Sequence, residues 1–321
     1  MTLEQLLSKR LLVLLGKGGV GKTALAGALG LLAARQGARV LIMECDSRAP
    51  LARSFGHQAR YAPTEVAPGL SIMTLDGAHA LEEYLGMVVP GRAIMRAVTA
   101  SPLYQFFAQA APGLRELMML GKVLYEVERK PSDPNHHSLV IVDAPASGQA
   151  LAMLRMPAAA RATFGDAIVG REARNIVRLL HDRKRTALLE VTTSDSLALS
   201  ETLEVLDALR SMELAPGAIL FNRVPEVTFN AKEVANFLAD APAVSRSEAE
   251  HLAEVARREL AAHSRAARAV DRLRERDNVD VLVIPEQRGM AGTQLVEQLA
   301  SKLALRLPDF RESLESAPAR N

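Results

Sequence analysis

The chain has 321 residues, a formal net charge of +2 and one cysteine, Cys45. That length allows a large core in one doubly wound sheet, and the near-neutral balance gives no strong pull toward nucleic acid or an anionic membrane. A lone thiol excludes an internal disulfide, a C-x-x-C zinc site and a thiolate cluster within one chain.

Met1 to Arg10 carries no cleavable signal pattern. No apolar run approaches the ~18 residues that span a bilayer, so a cytoplasmic protein is expected. Leu11–Leu15 then reads as a buried strand, and Ala24 to Arg35 as an Ala/Leu-rich helix. Between them stands Gly16-Lys17-Gly18-Gly19-Val20-Gly21-Lys22-Thr23, a G-x-x-x-x-G-K-[ST] phosphate loop in the strand–loop–helix context it requires. Glycines let successive N–H groups turn inward at a phosphate, and the helix N-terminus adds its positive end. Phosphate contacts are expected from Gly16 through Ala24. Lys22 would reach the β/γ-phosphates and the Thr23 hydroxyl would ligate Mg²⁺.

Further apolar runs follow at Arg39–Met43, Leu70–Leu75, Leu139–Asp143, Ala187–Thr192, Ala218–Phe221 and Val279–Ile284. Near-continuous apolar strands alternating with helices predict a mostly parallel α/β sheet, covered on both faces, with ligands beyond the strand carboxyl ends. One domain over residues 1–321 is expected. The long gap between Leu75 and Leu139 predicts an inserted helical subdomain at about 78–135, with further helices at about 150–185. Pro90-Gly91, Pro102 and Pro112-Gly113 divide the insert into several helices. The insert carries Met87, Met95, Met118, Met119, Phe106 and Phe107, which either fill a core or line a groove. His136-His137, in a polar loop, reads as a solvated pair. Arg246 to Arg276 predicts one or two helices with a solvated charged face.

Several carboxylates follow strands. Asp143 ends an apolar strand, as a Walker B aspartate does when it holds Mg²⁺. Asp46 stands where it would orient or deprotonate the attacking water, assist at the metal, or simply cap a turn. Glu44 competes for the first role. An Asn-Lys-x-Asp element for guanine is missing, since Phe221-Asn222-Arg223-Val224 follows its strand. Adenine is therefore expected, with Asn222 offering donor and acceptor to its edge or serving a turn.

With Lys17 in place, Gly-Lys-Gly-Gly-Val-Gly-Lys-Thr resembles the deviant Walker A box of partition and division-site ATPases, the nitrogenase iron protein and the arsenical-pump ATPases. That resemblance implies a dimer in which Lys17 acts on the partner's nucleotide, as an arginine finger does. More of the chain is similar to the arsenical-pump and tail-anchored-protein-targeting ATPase family. Val40 to Gly56 resembles its switch I, V-L-L-x-S-T-D-P-A-x-N-L-x-x-x-F-G, and puts Asp46 on the water-activating aspartate. Asp143 to Pro157 resembles its switch II, D-T-A-P-T-G-H-T-L-R-x-L-x-x-P. Leu197 to Leu206 resembles L-S-L-x-E-T-x-R-L-I, Asn222 falls on the adenine-reading asparagine of V-N-Q-L, and Pro285-Glu286-Gln287-Arg288-Gly289 resembles the adenine loop E-x-R-G. The resemblance implies ATP, Mg²⁺ and catalytic roles for Lys17, Lys22 and Asp46. The departures are Ser47 and Pro50 in switch I, Ala144 and Gln149 in switch II, and the missing zinc and arsenite cysteines.

The expected function is a Mg²⁺-dependent dimeric ATPase whose opening and closing acts on a protein or hydrophobic-helix client, in a homodimer or a heterodimer with a paralogue. No nucleic-acid partner is expected, and membrane contact is at most transient. The alternatives are a partition-type positional switch, which Pro308-Asp309 after the helical tail Leu295–Leu307 disfavours, and a nucleotide-binding scaffold with little turnover.

Overall fold

β1 (Leu11–Leu15) is buried along its whole length, because it runs parallel between β5 (Leu139–Asp143) and β6 (Thr186–Thr192) at the middle of the sheet. A computed structural model describes residues 1–58, 60–88, 113–240, 245–277 and 279–305. Its other strands are β2 (Val40–Glu44), β3 (Thr64–Ala67), β4 (Leu70–Thr74), β7 (Pro216–Val224) and β8 (Val281–Pro285). They form one eight-stranded sheet in the order β3-β4-β2-β5-β1-β6-β7-β8. Only β3 runs antiparallel, against β4 at one edge. It is short and half-buried, so no apolar run announced it, whereas the seven expected strands lie within a few residues of their predicted bounds.

The described helices are α1 (Leu3–Leu7), α2 (Lys22–Arg35), α3 (Pro50–Ser54), α4 (Gly77–Val88), α5 (Leu114–Glu128), α6 (Ser147–Phe164), α7 (Ile168–His181), α8 (Ser196–Ser211), α9 (Ala231–Asp240), α10 (Arg246–Asp277) and α11 (Gly292–Ala304). Alternate β1 residues serve opposite faces, as strand geometry demands. Leu12 and Leu14 join Leu25 and Leu29 of α2 and Leu299 and Leu303 of α11. Leu11, Val13 and Leu15 join Leu117 of α5, Met153 of α6, Ile176 of α7 and Leu209 of α8. Helix α2 approaches the sheet through glycine: a Cβ on Gly30 would stand 2.7 Å from Ile42 Cδ1, and one on Gly27 2.7 Å from Leu51 Cδ1 of α3.

Helices α4 and α5 lie in the sequence gap between β4 and β5, and both are amphipathic. The helices expected over 89–112, with Met95, Phe106 and Phe107, fall outside the described residues. So does the tail around Pro308-Asp309. Residues 246–277 form one helix, and its inner end packs Ala266, Val270 and Leu273 on Phe221 and Ile219 of β7. The reading of His136-His137 as a solvated pair needs correction. His137 is buried, its carbonyl accepts from Arg10 at 2.6 Å, and burial holds its pKa down at about 4.

Candidate nucleotide site

The carboxyl ends of β2, β5, β1, β6, β7 and β8 are neighbours, so every loop singled out above leaves the sheet along one contiguous edge. After Leu15 the chain turns through Gly16 at φ 135°, where a Cβ would stand 2.3 Å from the Val191 carbonyl oxygen. Gly21, at φ 101°, N-caps α2, and a Cβ there would stand 2.4 Å from Asn222 Nδ2. Only glycine fits either place. At Gly18 and Gly19 a Cβ would meet nothing within 4 Å, so the tip of the loop is uncrowded.

Lys22 begins α2 and is 8% exposed. Its Nζ donates to Gly16 O at 2.7 Å and Lys17 O at 3.0 Å, which curls the ammonium back over its own loop. Burial lowers its pKa, and the carboxylates of Asp143, Glu190 and Glu201 oppose that shift. Beside it, Thr23 Oγ1 donates to Asp143 Oδ2 at 2.6 Å. The other oxygen, Asp143 Oδ1, is buried with no hydrogen-bond partner. Burial pushes the Asp143 carboxyl up to about 6, against the Thr23 hydrogen bond and the charge of Lys22. An orphaned carboxylate oxygen next to a hydroxyl suits a divalent cation, which would supply the missing opposite charge. Among the described residues no group of three or more His, Cys, Asp and Glu could hold a metal. A cation here would therefore rest on Thr23, Asp143 and phosphate oxygens, the arrangement Mg²⁺ commonly takes.

Asp46 follows β2 but turns to its own neighbour. Its carboxylate accepts from Arg48 N at 2.9 Å, Nε at 3.1 Å and Nη2 at 2.7 Å, and those bonds lower its pKa. Glu44 is removed from the competition for water. It is fully buried, and its two oxygens accept from Leu51 N at 2.8 Å and Ala52 N at 3.1 Å. Lys17 reaches Asp195, the N-cap of α8, at 3.7 Å within the same chain. Asn222 is 5% exposed, and its Nδ2 donates to Val20 O at 2.8 Å. Pro285 ends β8, and Glu286 N donates to Val224 O at 2.9 Å, which places this pair beside the β7 end. Glu286 also holds Arg288, which reaches Glu259 of α10.

Gly16 to Ala24, Asp143 and Asn222 are thus brought together, whereas the Asp46 carboxylate is held to one side by Arg48. A further buried acid, Glu190, was not among the expected site residues. Glu190 lies in the fully buried strand β6, paired in register with Leu15. Thr202 donates to its Oε1 at 3.2 Å, its Oε2 has no partner, and burial raises its pKa to about 8. A carboxylate inside the apolar run Thr186–Thr192 was the signal. The adjacent Glu201 accepts from Ser147 at 3.2 Å, so consecutive residues of α8 contact the switch II segment and the strand beside the phosphate loop.

Residues 9–172 match the family model of the anion-transporting ATPases. The chain belongs to this family. ATPase BagA of Mycobacterium tuberculosis is 33% identical over 227 residues, 67% of this chain and 65% of that protein. An uncharacterised protein of Streptomyces coelicolor is 32% identical over 149 residues, 46% of this chain and 37% of that protein. The ATPase ASNA1 homolog 1 of Paramecium tetraurelia is 27% identical over 144 residues, 44% of this chain and 42% of that protein. The match therefore spans less than two thirds of the length of these relatives. The matched residues include the phosphate loop and Asp143.

Proposed function

We propose that this chain is a Mg²⁺-dependent ATPase working as a dimer, whose nucleotide-driven closing acts on a protein or hydrophobic-helix client. The observation that carries it is the pair at the first turn of α2, with Thr23 bonded to Asp143 and the second Asp143 oxygen left without a partner. Gly18, Gly19, Val20, Gly21 and the N-terminus of α2 would receive the β- and γ-phosphates, and Lys22 would leave its loop carbonyls for phosphate oxygens. Mg²⁺, held by Thr23 and Asp143, would neutralise charge on the transferring phosphoryl group. Asp46 would turn from Arg48 to orient water, Asn222, Pro285 and Glu286 would receive adenine, and Lys17 would leave Asp195 for a partner subunit's phosphates.

The client part of the reading draws on α4, α5 and α7, which enclose about 790 Å³. Met87, Leu117, Met118, Val169, Ile176 and Leu179 are among its apolar lining, beside charged residues such as Glu83 and Lys122, and methionines in a concavity suit varied apolar helices. Among the described residues no helix is long and apolar enough to cross a membrane.

Phosphate release from ATP, with and without Mg²⁺, tests the reading against a Lys22→Ala control. Release that ignores both the metal and the lysine would sink it. The bonds from Arg48 to Asp46 favour a second reading, a nucleotide-binding scaffold with little turnover. Tight ATP binding without phosphate release would select that one.

A further inference from the structure

Helix α3 carries the residues just after Asp46, and its N-terminus is built unusually. Its N-cap, Ala49, provides no side-chain hydrogen bond. Ala49 also sits at φ 43°, a left-handed conformation that a non-glycine residue keeps only where its surroundings impose it. The residue is fully buried, and its N–H returns to Asp46 O at 2.8 Å. Asp46 and the start of α3 therefore form one tight turn.

The surroundings that impose this turn come from β2. The Glu44 carboxylate spans the helix start, with one oxygen on Leu51 N and the other on Ala52 N. A buried carboxylate satisfying two orphan N–H groups is a strong, directional anchor. Glu44 is also paired in register with Asp143 across β2 and β5, so the anchor is attached to the strand end that holds Asp143. The far end of α3 is tied as well, since Thr293 of α11 donates its hydroxyl to Ser54 O. Serine stands at the Glu44 position in the switch I pattern that Val40 to Gly56 resembles, and a serine side chain is too short to span two N–H groups.

We propose that Glu44 is a positioning residue: it clamps α3 from the end of β2 and so sets where Asp46 stands relative to Thr23 and Asp143. This inference rests on the reading of the site as an ATPase. Both Glu44 oxygens are taken up by the amides of Leu51 and Ala52. Glu44 acts through α3, and Thr293 holds the other end of the same helix.

The test compares wild type with Glu44→Gln, which keeps the shape but turns an NH₂ group toward one of the two N–H donors. Hydrogen exchange at Leu51 and Ala52 is read in nucleotide-free protein, beside ATP affinity, KM and kcat. Loss of the second acceptor is expected to speed exchange at those amides by about tenfold. Displacing Asp46 is expected to lower kcat by about tenfold or more while ATP affinity stays within about twofold. Unchanged kcat despite faster exchange would overturn the role, and so would kcat and affinity falling together with thermal stability. A wild type that binds ATP without releasing phosphate refutes the ATPase reading and the role with it. A wild type that turns over no faster than Glu44→Gln refutes the role alone. Thr293→Val loosens the opposite end of α3 and should lower kcat in the same direction by a smaller factor. It decides the matter if Glu44→Gln does not fold, and an unchanged kcat there would count against the clamp.

Discussion

The side-chain amide of Asn222 donates to the carbonyl of Val20 at 2.8 Å, joining the end of β7 to the phosphate loop across 202 positions of chain. The same amide nitrogen occupies the place a Cβ on Gly21 would need. Asn222→Asp sets a carboxylate against that carbonyl, and buried repulsion of this kind costs about 1–3 kcal/mol. ATP affinity should fall by about tenfold or more in an equilibrium titration. Gly21→Ala combines the clash with a disfavoured φ and should reduce it further.

Asp143→Asn removes the charge that faces the proposed cation. Phosphate release should drop by about a hundredfold, and the variant's ATP affinity should no longer respond to Mg²⁺. Chelating the metal from wild type should bring turnover to a similar level. A variant that keeps its Mg²⁺ response would remove Asp143 from the metal site.

Lys17→Ala should leave ATP affinity nearly intact while turnover falls by about a thousandfold, the scale of a cation supplied in trans. Mixing Lys17→Ala chains with Asp143→Asn chains should restore activity, since one of the two pockets in a mixed dimer is then complete. No recovery on mixing would argue that the lysine acts within its own chain. Asp195→Ala, which breaks the 3.7 Å pair and also removes the α8 cap bonds to Leu197 N and Ala198 N, should lower stability by about 1 kcal/mol, with the cap as the larger share.

Glu190 gives a pH signature. Its folded-state pKa of about 8 lies above the ordinary 4.5, so the folded state holds the proton more tightly than the unfolded chain. Its share of stability is present below the unfolded value and is lost as pH rises toward about 8. Glu190→Gln, neutral at every pH, should therefore melt about 2–4 °C above wild type near pH 8.5. The difference should close near pH 4.5. A gap that does not change with pH would show that Glu190 is not buried as an acid.

The phosphate loop could be read directly because its chemistry is local. Strand, glycines, lysine and threonine are consecutive, so Gly16 to Thr23 needs no distant partner to declare itself. Asp143 was as clear, since an apolar strand ending in a carboxylate is also a short-range pattern. Glu44 and Asp46 were harder to separate. Both follow the same strand two residues apart, and only the fold shows one caught by the amides of α3 and the other by Arg48. His137 looked solvated because its neighbours are polar, yet it is buried and its carbonyl accepts from Arg10. Edge strand β3 had no apolar run to mark it.

By itself the sequence determined the sheet, its central strands and the loop that would cradle phosphate, because periodicity and backbone freedom act over a few residues. Only the tertiary structure decided which carboxylate faces Thr23, which caps α3 and which is buried beside Leu15. Those outcomes depend on burial and on partners up to 202 positions away, and neither is written into any short stretch of chain.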